Sequence, residues 1–387
     1  MADQPHTQIA IIGGGISGLW LLNVLARRGF GVLLLEQGGL GQAQTFASQG
    51  MIHGGIKYAL GGFTTAASES IANMPDTWRQ CLAGTGPLPL PAVNILSQAY
   101  YLFSDGSLSS KVTAFFGSKS VRGRVTALAA ADYPPVFADP AFKGSVYKLQ
   151  DMVLDTTALV AALAKNYAAH IYQSTATLLR SKTGKIIGID TGSGIVTADC
   201  YILAAGAGNA ALLAGDPEQR ITMQRRPLQQ VMLKGKLPQV FAHGVSLRTA
   251  AKPRLTITTH PCSDGDSVWY LGGQLAEDGV NRSAAAQIDA ARRELEQLFP
   301  WIDTSSATWA TLFVDRAEPA NNLQRPDMPF CQQQGNAIVC WPTKLTLTPM
   351  LADMACACIN FEADGRAAPA LELPRAILGR TPWDLAF

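Results

Sequence analysis

The chain has 387 residues, and 48% of them are hydrophobic. A chain of this length and composition can bury a large core in two or three domains, which excludes a disordered or fibrous protein. The 31 basic and 29 acidic side chains give a net charge of +2, so no large field of one sign is expected to attract nucleic acid or an anionic membrane.

The first residues, MADQPHTQ, are mostly polar and precede only a short apolar run. That pattern fits neither a signal peptide nor a membrane span, so a cytoplasmic protein without a transmembrane segment is expected. The seven cysteines include no C-x-x-C pair. We therefore predict free thiols, with neither a disulfide framework nor a metal site.

The N-terminal elements are a strand, a tight turn, a helix and a second strand. Residues 8–12 are β-branched or small and mostly apolar, glycines occupy positions 13–15, and a helical apolar pattern continues to Leu25. Gly29 ends that helix, and residues 31–36 form a second apolar strand closed by an acid. This order predicts a βαβ unit.

The rest of the chain alternates between helical and strand-like patterns. Residues 38–62 are rich in Gly, Ala, Gln and Ser and should lie extended across a ligand or an interface. From 223 to 273 the alternation and the frequent turns predict an antiparallel sheet. Helices are predicted at 70–81, 155–168, 284–299 and 349–361, and strands at 93–108, 171–172, 186–190, 195–196, 201–206 and 337–341.

Gly13, Gly15 and Gly18 complete a G-x-G-x-x-G pattern between the first strand and the first helix. In such a turn the first glycine allows the bend, the second lets a diphosphate approach the backbone, and the third lets helix and strand pack closely. The helix N-terminus offers free N–H groups to the phosphates. Glu36 should accept hydrogen bonds from ribose hydroxyls and repel a 2′-phosphate, which favours NAD or FAD over NADP.

Three further segments, together with this glycine turn, resemble the D-amino-acid oxidase-like (DAO) superfamily of FAD-dependent oxidoreductases. They are MIHGGIKY at 51–58, ILAAGAG at 202–208, which resembles the second FAD-contacting turn, and LTLTP at 345–349, which resembles the C-terminal flavin loop. The superfamily includes glycine oxidase, sarcosine oxidase, L-2-hydroxyglutarate dehydrogenase and glycerol-3-phosphate dehydrogenase. The resemblance spans the chain, is weak between residues 85 and 147, and implies FAD bound noncovalently rather than covalently.

The resemblance implies an α/β fold, α+β overall: a Rossmann-like FAD-binding domain of the glutathione-reductase type and a second domain on a mixed or antiparallel sheet. The FAD-binding domain would comprise residues 1–84, 148–218 and 313–387, and the substrate-binding domain residues 85–147 and 219–312. The residues expected to bind the cofactor are Gly13, Gly15, Ile16, Ser17, Gly18, Glu36, Gln37, Ser48, Gln49, Gly50, Met51, Ala205, Gly206, Lys344, Leu345 and Thr346.

His53 lies where several members of the superfamily carry a histidine beside the flavin ring. A proton must leave the substrate as hydride moves to flavin N5, and a histidine that titrates near neutrality suits a base or an orienting donor. Covalent attachment of the flavin and a structural hydrogen bond beneath the ring are the other roles that the resemblance leaves open.

Arg316 matches an arginine that binds the substrate carboxylate in the amino-acid oxidases. A guanidinium suits this function because it can bind a carboxylate by two parallel hydrogen bonds. An ion pair with Asp315 or Glu318 is the competing interpretation. Lys344 precedes the helix that Thr348 should cap, at a position where many relatives have glycine. It would stabilise negative charge on the reduced flavin or would instead face solvent.

Lys57, Tyr58 and Tyr270 are further candidates for contact with the substrate. Tyr270 would otherwise pack within the sheet that covers the flavin pocket in the superfamily. Arg225 and Arg226 precede a proline and indicate either a phosphate clamp or a solvated edge strand. No metal ligands are predicted.

The resulting hypothesis is an FAD-dependent oxidoreductase that takes hydride from a C–H next to the amine of an amino acid or secondary amine. The match of Arg316 favours this over a 2-hydroxy acid or glycerol-3-phosphate-like substrate, which residues 51–58 support. A tRNA-modifying flavoprotein, an NAD-dependent dehydrogenase and a non-catalytic flavin-binding protein are the rivals, and near-neutral charge argues against nucleic acid as a partner. The expected partners are a small-molecule substrate and an electron acceptor, which is dioxygen, a quinone or an electron-transfer protein.

Overall fold

The structure is a computed structural model, and it describes residues 4–55, 71–104, 106, 124–245, 253–262, 264–322 and 324–387. Its strands are β1 His6–Ile12, β2 Val32–Glu36, β3 Met51–Ile52, β4 Ile95–Ser97, β5 Tyr100–Ser104, β6 Val125–Ala127, β7 Val146–Leu149, β8 Met152–Leu154, β9 Ile171–Gln173, β10 Thr177–Arg180, β11 Ile186–Asp190, β12 Ile195–Leu203, β13 Met223–Gly235, β14 Ala242–Val245, β15 Leu255–Pro261, β16 Ser267–Gly272, β17 Thr308–Pro319, β18 Phe330–Gln334 and β19 Ala337–Trp341. Its helices are α1 Ile16–Arg27, α2 Met74–Leu82, α3 Thr156–Lys165, α4 Asn209–Leu213, α5 Gln274–Asp278, α6 Ala284–Leu298, α7 Thr348–Ala357 and α8 Pro382–Ala386.

The first sheet has a parallel core in the order β19-β12-β1-β2-β9. Successive side chains of a strand point to opposite faces, so Ile9 and Ile11 enter one core while Ala10 and Ile12 enter another. Because both faces of the sheet are buried, polar and apolar residues do not alternate along these strands. The predicted βαβ unit is confirmed as β1, α1 and β2, and antiparallel strands β10, β11 and β18 extend the sheet.

Helices α1, α3 and α7 cover one face of this parallel sheet. They pack through apolar residues such as Leu22, Leu159 and Leu351. Helix α3 begins where Asp155 caps it, because the carboxylate accepts hydrogen bonds from the backbone N–H of Thr157 and Ala158. The N-terminus of α1 therefore lies fixed at the carboxyl end of β1, where ligands bind in open α/β sheets.

The second sheet has the order β17-β13-β16-β15-β14-β5-β7-β6 and is antiparallel except where β14 pairs with β5. Helix α6 packs on one face through Leu295 and Leu298. On the other face the C-terminal helix α8 inserts Trp383 beside Tyr270 and Met232. The predicted fold class, a Rossmann-like domain with a second domain on a mixed sheet, is confirmed.

Strand β17 pairs with β13 along its length, from Thr308 opposite Lys234 to Pro319 opposite Met223. The domain boundary expected at residue 313 therefore falls inside a strand of the second sheet, and the sheet continues to Pro319. The division into domains is otherwise still a prediction. No helix among the described residues is both long enough and apolar enough to cross a bilayer.

Candidate functional site

A cavity of about 1570 Å³ lies between the carboxyl ends of the parallel strands and one edge of the second sheet. Its walls include the turn after β1, the end of β2, the segment from 37 to 53, and strands β13 and β17. Pockets for drug-sized ligands measure roughly 300–1000 Å³, so this one has room for a dinucleotide and a small second molecule.

The structure indicates a different role for each of the three glycines of the G-x-G-x-x-G turn after β1. Gly13 has a φ of +115°, and a Cβ there would lie 2.5 Å from the carbonyl oxygen of Ala204. A Cβ at Gly18 would overlap the carbonyl oxygen of Gly13, so this glycine lets α1 pack against the turn. A Cβ at Gly15 would meet only Thr45 Oγ1, at 3.3 Å. Gly15 is therefore not required for packing within the protein, and this fits a role in the approach of a ligand.

The first turn of α1 faces the cavity and fits a diphosphate. Ile16 and Ser17 line the cavity, and the Ile16 N–H donates to Thr45 Oγ1 over 3.0 Å. The first N–H groups of a helix have no partner inside the helix and carry the positive end of its dipole. Thr45 adds a hydroxyl beside them, a contact that the glycine pattern does not predict.

Glu36 occupies the position that the sequence assigns to a ribose-binding acid. Its carboxylate accepts hydrogen bonds from the N–H of Gly14 over 2.5 Å and of Gly38 over 2.8 Å. These two bonds hold the carboxylate at the end of β2 while it lines the cavity next to Gln37. A carboxylate has about four acceptor sites, so capacity for ribose hydroxyls is left.

The second glycine turn, after β12, also lines the cavity through Ala205 and Gly206. Gly206 has a φ of +58°, and its carbonyl accepts from Trp341 Nε1 over 3.0 Å. Asn209 joins this turn to β19, because its amide nitrogen donates to the Cys340 carbonyl and its oxygen accepts from the Ala205 N–H. Neither Asn209 nor Trp341 follows from the glycine pattern.

The segment from 48 to 53 contributes Ser48, Gln49, Met51 and His53 to the lining. Gly50 does not line the cavity; its φ of +68° and its closeness to the Leu154 carbonyl make it a backbone requirement. Lys57 and Tyr58 lie outside the described residues.

His53 is held against the cavity by the C-terminal flavin-loop segment. Thr346 Oγ1 accepts from the His53 N–H over 3.3 Å and donates to the His53 carbonyl over 3.1 Å. The Thr346 carbonyl in turn accepts from Trp78 Nε1. Thr346 is fully buried and positions His53, whereas Lys344 and Leu345 line the cavity themselves.

Tyr270 does not line the cavity, so the structure corrects the expected contact with substrate. Its ring packs with His260 and Trp383, and its hydroxyl donates to the Ala47 carbonyl over 2.9 Å. Helix α8 covers this part of the sheet, and its residues Pro382 and Leu385 form cavity wall instead. No sequence motif predicts that contribution.

The arginines of β13 and β17 lie opposite one another at the cavity, with Arg226 paired to Arg316 in register. Arg226 Nε lies 2.7 Å from Glu318 Oε2, and Glu318 is buried. Arg225 lies on the exposed side and pairs with Asp315 over 2.8 Å. Both carboxylates proposed as competing partners of Arg316 are therefore bound by its neighbours.

Arg316 is half-buried, and Nε donates to the Arg226 carbonyl over 3.1 Å. No carboxylate among the described residues forms an ion pair with it. Burial, followed by the charges of Arg226 and Arg325, lowers the pKa of Arg316 to about 10. The guanidinium therefore remains charged at neutral pH and faces a cavity that can hold an anion.

Lys344 is only 7% exposed, so the solvent-facing alternative is wrong. Its Nζ donates to the Asp327 carbonyl over 2.8 Å and lies 3.8 Å from the Asp327 carboxylate. Burial, followed by the charge of Arg325, lowers the pKa of Lys344 to about 7. This lysine can thus release or take up a proton near neutral pH.

The lowered pKa of Lys344 predicts that stability rises with pH between about 7 and 10.5. In that range the unfolded chain keeps a proton that the folded protein has released, so unfolding takes up a proton and becomes less favourable as pH increases. Urea titrations of the flavin-free protein and of Lys344→Met check this. The wild type should gain free energy of unfolding relative to the variant as pH rises; a constant difference contradicts the prediction.

The described residues contain no group of three or more His, Cys, Asp or Glu side chains arranged to hold a metal ion. The cavity, the helix N-terminus, the acid at the end of β2 and the two glycine turns together fit a flavin dinucleotide. The residues that would hold it are those of the turn after β1, Glu36, the segment from 44 to 53, and the loop from 343 to 345.

Comparison with known proteins agrees with this geometry. A probable FAD-dependent oxidoreductase of Pseudomonas aeruginosa is 47% identical over 100% of both chains. The crystal structure of an FAD-dependent oxidoreductase from Pseudomonas aeruginosa superimposes with a TM-score of 0.84 at 42% identity, covering 100% of this chain and 99% of the other. Glycine oxidase of Pseudomonas putida is 24% identical, covering 79% of this chain and 82% of its own.

The family model described as FAD dependent oxidoreductase, DAO, matches residues 8–340. This span includes both glycine turns, Glu36, His53 and Arg316. The cofactor predicted from the resemblance, FAD, is confirmed, as is the enzyme class. The chain belongs to the DAO family of FAD-dependent oxidoreductases.

Proposed function

We propose that this enzyme oxidises the C–H bond next to the amine of a small amino acid or N-substituted amino acid, whose carboxylate is bound by Arg316. The observation that carries the proposal is a charged, half-buried guanidinium at the cavity wall. Asp315 and Glu318, the two carboxylates that the sequence offers as its partners, pair with other arginines. A guanidinium in this position can bind a carboxylate by two parallel hydrogen bonds.

The walls of the cavity next to Arg316 suit a small substrate with one anionic end. In the β13–β17 ladder, Leu228 lies opposite Val314 next to the arginine pair, and all of them line the cavity. The carboxylate would bind at the arginine and the rest of the molecule would lie against apolar side chains. Anchoring at one end fixes which hydrogen points away from the wall, and this positioning lowers the entropic part of the barrier.

Bound FAD supplies the acceptor for the hydride. The protein must hold the proton that the substrate amine loses, and Lys344 suits this task because its pKa of about 7 leaves it partly neutral at physiological pH. His53 lines the same cavity with its backbone clamped by Thr346, so it would orient the reacting group. These are proposed roles for Lys344 and His53.

The glycine oxidase relative supports an amine substrate. A 2-hydroxy acid is the second candidate substrate. Arg316 would bind the carboxylate of an amino acid or of a 2-hydroxy acid equally, whether nitrogen or oxygen is attached to the carbon that is oxidised. Near neutrality an alcohol and an ammonium differ in charge, and the lysine that releases protons at this pH favours the ammonium.

Anaerobic reduction of the bound flavin tests the proposal. Glycine, N-methylglycine, D-alanine and L-proline are compared with lactate, 2-hydroxyglutarate and glycerol 3-phosphate, and methylamine and ethylamine serve as controls without carboxylate. An amino acid should bleach the flavin absorbance while the corresponding simple amine does not. Bleaching by lactate or glycerol 3-phosphate alone, or equally by the simple amines, contradicts the proposal. Admitting air to the reduced enzyme then shows whether dioxygen is an acceptor.

A further inference from the structure

Three thiols lie together behind the loop that carries Lys344. Cys340 in β19 donates a hydrogen bond to Cys331 in β18, with the two sulfurs 3.8 Å apart. Cys331 also shares a hydrogen bond with Cys358, which follows α7. Cys340 is buried, whereas Cys331 and Cys358 are partly exposed.

We propose that Cys331 and Cys340 are a site of reversible oxidation, at which a hydroperoxide converts the two thiols into a cross-strand disulfide. The two residues are directly opposed in the antiparallel β18–β19 pair. Opposed residues have Cα atoms about 4.5–5.5 Å apart, and disulfides span roughly 4.4–6.8 Å between Cα atoms. The bond can therefore form with both strands in place.

Cys331 is the sulfur that reacts first. It accepts hydrogen bonds from two thiols, and the bond from Cys340, followed by that from Cys358, lowers the pKa of Cys331 although burial opposes the change. Burial raises the pKa of Cys358, and the hydrogen bond to Cys331 together with burial raises that of Cys340. The thiolate is the nucleophilic form, so the partly exposed Cys331 is the one that meets and attacks an oxidant.

The reaction balances with hydrogen peroxide as the oxidant. The Cys331 thiolate attacks one peroxide oxygen, the O–O bond breaks, and a sulfenic acid and hydroxide result. Cys340 then attacks the Cys331 sulfur, the S–S bond forms, and water leaves. Two thiols lose two electrons and peroxide is reduced to two waters. Cys358 does not enter the bond; it is a positioning residue that stabilises the Cys331 thiolate.

The site adjoins the cofactor cavity through β19. Cys340 lines the cavity together with Trp341 and Lys344, and the Cys340 carbonyl accepts a hydrogen bond from Asn209. A disulfide between β18 and β19 would therefore restrain β19, the strand that the flavin loop follows in the chain. This inference does not depend on which substrate the enzyme oxidises.

Peptide mapping of the FAD-loaded protein tests the proposal. The protein is treated with hydrogen peroxide, remaining thiols are blocked with N-ethylmaleimide, and the peptides are identified by mass spectrometry. Residues 331–340 contain no Lys or Arg, so trypsin leaves Cys331 and Cys340 in one peptide. We expect that peptide to be lighter than its reduced form by two hydrogens, to carry no N-ethylmaleimide, and to take up a label on both cysteines only after reduction with dithiothreitol. Cys262→Ser, which alters another partly exposed thiol outside the cluster, should not change its yield. A Cys331 that is blocked, over-oxidised or joined to Cys358 overturns the proposal.

The role of Cys358 has its own measurement. In Cys358→Ala the rate of disulfide formation near neutral pH should fall about tenfold, the effect expected from loss of one hydrogen bond to a charged group. Without that hydrogen bond the pKa of Cys331 rises and a smaller fraction of this thiol is ionised. The deficit should disappear at a pH above both pKa values. A rate that is unchanged, or reduced equally at all pH values, overturns the positioning role.

Discussion

Replacing Gly15 with alanine should lower the affinity for FAD on the order of 100-fold, while the protein still folds. A loss of this size corresponds to about two charge-assisted hydrogen bonds to the diphosphate, at about 1.5 kcal/mol each. Gly15 has φ −77° and ψ −175°, which alanine adopts without strain, and the added Cβ would meet only Thr45 Oγ1. That Cβ would, however, occupy the side from which a diphosphate approaches the turn. Fluorescence titration of the flavin-free protein with FAD measures the loss.

Two matched variants separate cofactor binding from folding. Gly18→Ala places its Cβ on the Gly13 carbonyl oxygen, so this variant should lose its thermal transition or fail to fold. Gly235→Ala has ordinary contacts at 3.6 Å to Ala307, outside the cavity, and should bind FAD like the wild type. If Gly15→Ala binds FAD with unchanged affinity, or unfolds like Gly18→Ala, the assigned role of Gly15 is wrong.

The part of the site that follows from the sequence is the part built from consecutive residues. A strand, a turn that needs a positive φ at Gly13, a helix and a strand ending in Glu36 are all encoded within residues 6–36, so periodicity and glycine spacing are enough to predict them. The second glycine turn and the flavin loop required the resemblance. Their positions depend on Asn209 and Thr346, whose partners lie far along the chain.

Tyr270 shows what sequence periodicity leaves out. In β16, Trp269 and Leu271 face α6 while Tyr270 faces the opposite side, as alternation predicts. That side is the one expected for a flavin pocket, yet Trp383 of α8 packs against Tyr270 there. The last residues of the chain reach the sheet only in three dimensions, and nothing local to Tyr270 indicates that they cover it.

The partners of Arg316 depend on strand register in the same way. From the sequence, Asp315 and Glu318 are near enough to pair with it. Pairing of β17 with β13 brings Arg225 and Arg226 alongside and gives each acid a different arginine. Register depends on which residues of distant segments face each other, so the sequence left the choice open.

Arg316→Met should raise KM for an amino-acid substrate on the order of 100-fold, equivalent to about 2.7 kcal/mol, because the carboxylate loses charge-assisted hydrogen bonds worth roughly 1.5–3 kcal/mol each. Methionine keeps much of the volume of the side chain, and the Arg226–Glu318 pair next to it remains intact. The loss should appear mainly in KM, since binding of the carboxylate is present before and during hydride transfer. Steady-state kinetics with the compound that bleaches the flavin measures both constants.

Arg220→Met is the control just before β13, because Arg220 pairs with Glu218 at an exposed position and neither residue lines the cavity. Its KM should stay within about twofold of the wild type, as surface ion pairs contribute about 0–1 kcal/mol. Arg316→Lys retains the charge but not the planar pair of donors, so it should recover only part of the lost affinity. If Arg316→Met changes KM no more than Arg220→Met does, the carboxylate is bound elsewhere in the cavity. Among the described residues, the other arginines and lysines that line it are Arg180, Arg226, Arg325 and Lys344.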